Sequence, residues 1–88
     1  MEREPRTLEE IRATIRSARD SVWVINDEIQ KLADGKPANN DRKGNIERNV
    51  SHLKLVVSDQ EISGSGEDIS DLHTAISAGE AKLAETIW

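Results

Sequence analysis

Two histidines, a row of arginines and an acid-rich linker are the parts of this chain whose residue types could do chemistry. His52 and His73 carry imidazoles suited to proton transfer or metal ligation. Neither has a second His or a Cys at ligand spacing, and they fall on different helical segments away from the apolar seams, so both read as exposed polar residues. The absence of cysteine removes thiolate zinc sites and any disulfide framework. The linker DQEISGSGEDIS, Asp59 to Ser70, sets oxygen-bearing side chains at alternate positions from Asp59 to Glu67, with Gly64 sixth, as a calcium loop does. Ser70 stands at the twelfth position, where a bidentate carboxylate is required, and Gly66 stands at the eighth, where an apolar residue belongs, so the pattern is not met. There is no Ser or Cys nucleophile in a recognisable setting and no glycine-rich phosphate loop after a strand. The expectation is a protein without catalysis, metal or cofactor.

Charge offers a second kind of chemistry. Arg12, Arg16, Arg19 and Trp23 follow a 4-3-4 spacing down one helix flank. Such a stripe could grip a carboxylate-rich partner, with Arg19 over the indole as a cation–π pair. The plainer reading is a solvated flank in which Arg16 and Asp20 form an i,i+4 pair. Glu67, Asp68 and Asp71 open the last helical segment, where negative charge complements the helix dipole. The alternative is an acidic face that engages a basic partner or imitates nucleic-acid phosphate. The net charge is −5, and it is uneven: residues 1–44 hold nine acids and nine bases, residues 45–88 eight acids and three bases. That balance argues against direct nucleic-acid binding.

The elements that would hold these groups are helices. Of the 88 residues, 35% are apolar, nearly all aliphatic, and the aromatic content is two tryptophans. A chain this short buries only about 60 to 65% of its extended surface, so its core must come from aliphatic stripes. MEREPRT, residues 1–7, reads as a flexible lead-in. Thr7 and Glu10 form a capping box, and a heptad then runs from Leu8 to Leu32, with Leu8, Ile15, Val22 and Ile29 at a and Ile11, Ala18, Ile25 and Leu32 at d. Gly35 and Pro37 end it. Ile46, Val50, Leu53 and Val57 repeat the spacing in a second helix. After SGSG, with Ser65 and Asp68 as a weaker capping box, Ile69, Leu72, Ile76, Gly79 and Leu83 make a third seam. The fold class expected is all-α: a three-helix antiparallel bundle with coiled-coil-like packing, one domain over 8–88, and helices at about 8–33, 42–62 and 66–87.

Trp23 and Val24 interrupt this pattern, because they are apolar but lie outside the seam, at b and c. One reading docks Trp23 into a notch of small residues around Gly79, whose cost in a helix interior, about 1 kcal/mol against Ala, calls for a close neighbour. The other places Trp23, Val24 and Leu55 on the outside as a contact patch, tryptophan being enriched at binding hot spots. The function expected is a small structural or adaptor subunit whose partner is another protein or itself, most simply as a homodimer through apolar helix faces. The alternative is an acidic inhibitor that blocks a basic, nucleic-acid-binding site on another macromolecule. With no apolar run of signal or membrane length, a soluble cytoplasmic protein without membrane contact is expected.

Overall fold

The computed structural model describes residues 4–88. The first helix, α1, spans Leu8–Ala33. Thr7 caps it by accepting a hydrogen bond from the Glu10 N–H at 3.2 Å, while the Glu10 carboxylate meets the Thr7 hydroxyl instead of its amide. The helix closes with Gly35 at φ +88°: the Lys36 N–H donates to Lys31 O at 2.9 Å and the Gly35 N–H to Leu32 O at 3.1 Å, a Schellman closure that uses the left-handed freedom of glycine.

Asn39 then caps α2, Asn40–Ser58, by accepting from the Arg42 N–H at 2.8 Å. The helix expected to run on to residue 62 instead breaks at Asp59, which is extended. Its carboxylate accepts the Glu61 N–H at 2.9 Å, an aspartate competing with the helix for a backbone donor, and starts the single turn α3, Gln60–Ser63. The break points Ile62 into the core.

The last helix, α4, spans Ser70–Glu85 and begins four residues later than expected. Gly66, at φ +82°, cannot be helical, so the Ser65 hydroxyl accepts from Glu67 and caps no helix, while Asp68 accepts from the Ser70 N–H at 3.0 Å. Of the lead-in expected over 1–7, residues 1–3 lie outside the described residues and Arg6 is tied across the molecule to α3, as set out below.

Every pair of the three long helices is in contact, and their cross-links fix an up-down-up order. Glu28, near the end of α1, lies near Arg42 at the start of α2, so α2 runs against α1; Arg12 meets Glu67 and Arg19 meets Asp71, so α4 runs parallel to α1 and therefore against α2, to which Lys54–Glu80 ties it. The protein is an all-α bundle. Ile25, Ile46, Leu53 and Leu72 have no exposed surface, as the seams require. Two polar residues, Ser21 and Glu28, are also buried; both sit at g of the α1 heptad, the flank that α2 covers.

Gly79 is a point of close approach, though not to the residue expected. A Cβ there would lie 2.5 Å from Val50 Cγ2 and 3.4 Å from Ile25 Cγ2. With Ile46 Cγ2 at 3.5 Å, the notch is therefore filled by three aliphatic residues of the neighbouring seams. Trp23 does not dock in it: the residue is 66% exposed. At about 100° per residue, position 23 points some 160° away from Ile25 and so away from the interior.

Candidate functional site

The exposed apolar residues come from several elements. Trp23 leaves α1 outward, and Leu55, 72% exposed, leaves α2 outward two residues from the wholly buried Leu53. In a bundle whose three helices all touch, the outward faces of α1 and α2 point away from one another, so Trp23 and Leu55 belong to separate surfaces. Val24 is half-buried on α1. Leu55 borders a shallow depression of about 540 Å³ that also runs past Arg48 and the exposed His52 on the outer side of α2. Trp88 is anchored, packing against the core and donating its Nε1–H to Leu83 O at 3.1 Å.

The charged candidates largely satisfy one another. Arg12 Nε lies 2.5 Å from Glu67 Oε1. Arg19 Nε lies 2.8 Å from Asp71 Oδ2, and its Nη2 donates to Asp68 O at 3.1 Å. The hydrogen bonds of the Arg19 guanidinium thus go to the start of α4, and the Asp71 hydrogen bond, followed by its charge, raises the arginine pKa further above its ordinary value. The Asp68 carboxyl is held below the ordinary range by the Ser70 hydroxyl and N–H. The arginine stripe and the acidic run, two separate features in the sequence, are two sides of one seam between α1 and α4.

Arg16 is the exception. It forms no ion pair among the described residues, and neither does Asp20, so the expected Arg16–Asp20 pair is absent. Both are exposed. Arg16, Arg12, Glu9 and Ala13 line an open depression of about 390 Å³ on the outer side of α1, the same side as Trp23.

The calcium-like spacing holds no metal cradle. Arg6 takes both of its first carboxylates, with its Nη2 on Asp59 and its Nε on Glu61 Oε2 at 2.8 Å, the Arg6 N–H also donating to Glu61 at 3.1 Å. Glu67 is engaged by Arg12, and no group of three potential ligands converges among the described residues. His52 and His73 are exposed on different helices. Protein-family models, curated proteins and solved structures offer this chain no match. Trp23 on the outer side of α1 and Leu55 on the outer side of α2 are open to a partner, as are Leu8 and Ile87 near the two ends of the chain.

Sequence reasoning passed over two features. Glu9, Ala13, Arg16, Asp20, Trp23 and Asp27 repeat at 4-3-4-3-4 spacing on the b and f positions, a second seam on the outside of α1. The signal was present but is masked by polar residues, which an apolar periodicity does not register. The Arg6 clasp could not be found this way, because it joins residues more than fifty positions apart.

Proposed function

We propose that this protein is a small interaction module, structural or adaptor-like and without catalytic chemistry, that associates with a second copy of itself through the outer faces of its helices. The observation that carries the reading is the outward placement of Trp23, a residue whose burial would remove about 150 to 250 Å² from water. Its exposed setting on a regular helix offers a rigid anchor of the kind that dominates interfaces.

The shape of the molecule supports the same reading. The radius of gyration is 14.8 Å, against about 12 Å for a compact domain of this length, and the extents are 49 × 24 × 16 Å. A thin rod keeps long helix faces in solvent. No described helix is long and apolar enough to cross a membrane, and the acidic balance supports a protein partner over a nucleic acid. A cytoplasmic setting belongs to the same proposal.

The acidic-inhibitor reading draws less support, because Glu67 and Asp71 already face Arg12 and Arg19. Sedimentation of the wild type at micromolar to high micromolar concentration tests the main reading, with Trp23→Asp, Val24→Asp and Leu55→Asp as probes of the candidate faces. Dimer formation that one of these abolishes while helix content stays constant is the expected result. A wild-type monomer throughout that range would sink it. Added salt separates the two readings, since an apolar contact persists where a phosphate mimic loses its basic partner steeply.

A further inference from the structure

The outer side of α1 is complementary to itself. Trp23 projects from it, the depression floored by Ala13 lies ten residues away, about 15 Å along the same helix, and Arg16 and Asp20, both exposed and without ion pairs among the described residues, lie between. A two-fold axis across the helix at residue 18 exchanges position 13 with 23 and position 16 with 20. Under that one operation each indole enters the other copy's depression, between Arg12 and Arg16, and each free arginine faces the other copy's free aspartate.

We infer that the protein forms an antiparallel dimer through α1, with Trp23 of each copy seated over Ala13 of the other and two Arg16–Asp20 ion pairs across the axis. Only a second copy matches all of these features at once, because the knob, the hole and the two charges stand at sum-constant positions on a single helix, which is the condition for an isologous contact. Arg12 and Arg16 line the hole, and arginine favours the face of an aromatic ring. A parallel pairing would set Arg16 against Arg16 and Trp23 against Trp23, leaving both holes empty. The contact is one helix wide, smaller than the roughly 800 Å² per partner of a standard interface, so a micromolar, exchanging dimer is the form expected. Leu55 lies outside it.

This inference rests on the self-association proposed above, and charge exchange tells the failure of one from the failure of the other. The dissociation constant is measured by sedimentation for wild type, Arg16→Asp, Asp20→Arg and an equimolar mixture of the two variants, with circular dichroism to confirm that each is folded. Each single variant places like charges across the axis and is expected to weaken its own dimer at least about tenfold. The mixture restores association, because every contact across the axis then joins an arginine to an aspartate. Trp23→Ala lowers association and Leu55→Ser leaves it unchanged. A wild-type dimer indifferent to Arg16→Asp and Trp23→Ala overturns this contact and leaves self-association standing. A wild-type monomer overturns both.

Discussion

Gly79 shows how one missing side chain sets a helix spacing. A methyl group there would sit 2.5 Å from a γ-carbon of Val50, a stiff β-branched residue that is itself buried. Alanine would regain about 1 kcal/mol of helix propensity and lose about 1 to 3 kcal/mol to overpacking. Gly79→Ala is therefore expected to melt below wild type and Gly79→Leu lower still, with Val50→Ala partly rescuing the alanine variant; a higher melt for Gly79→Ala would mean that the helices separate at little cost. Ile25, wholly buried and 3.4 Å from the same point, should cost about 2 to 5 kcal/mol when cut to alanine, read from chemical denaturation. Both residues were legible in the sequence, since the seams follow from spacing and a mid-helix glycine asks for a neighbour. The identity of that neighbour was not, because the count along the helices gave its height but not the direction in which each side chain leaves. Glu28 was illegible for a related reason: a g position is buried only on the flank another helix happens to cover.

At the scale of elements, start and stop signals read well where a single cap decides them, as at Thr7 and Gly35, and poorly across the segment from Asp59 to Ile69. There three local hydrogen-bonding motifs compete with helix, and Arg6, just before α1, binds both carboxylates of the first of them. The hydrogen bonds from the Arg6 side chain and N–H hold the Glu61 carboxyl below its ordinary range. At Asp59 desolvation pushes upward, but the bonds from Arg6 and from the Glu61 N–H outweigh it and the carboxyl is also held low. A carboxyl whose pKa is lower in the folded than in the unfolded chain contributes stability above its unfolded value and loses it as pH falls through the folded one. The melting temperature should thus be flat above about pH 5 and fall below about pH 4. Arg6→Ala should make that acid loss shallower; an unchanged acid limb would show that the clasp holds nothing. Because these groups sit at the surface and are only half-buried, the effect is expected to be small.

For the molecule as a whole, all-α class and up-down-up order could be argued from three apolar periodicities and two short connections. The surface was harder to read. An apolar patch of Trp23, Val24 and Leu55 can be drawn on a linear sequence, yet three helices in mutual contact turn Trp23 and Leu55 in different directions. An interface that mixes charge with one aromatic residue leaves no apolar stripe to find. Tryptophan emission offers a check at this scale: on dilution through the dissociation constant the spectrum should shift to the red as the Trp23 indole returns to water, and a Trp23→Phe variant, keeping only Trp88, should show no shift.

The ion pairs between α1 and α4 also bear on chirality. A three-helix bundle can turn either way, placing the last helix on one flank of the first or on the other, and a core of symmetric apolar seams barely distinguishes the two. Arg12 and Arg19 lie on one flank only, while the opposite flank of the same turns offers Glu10, Thr14 and Ser17. A mirror-handed arrangement would bring Glu67 and Asp71 to a side with no cation and a carboxylate already present. Each bridge is exposed and weak as a source of stability, yet both vote for the same hand, and the two topologies need differ by little for one to prevail. Reversing both arginines to glutamate should leave a folded helical protein in which a second set of amide resonances reports the other turn.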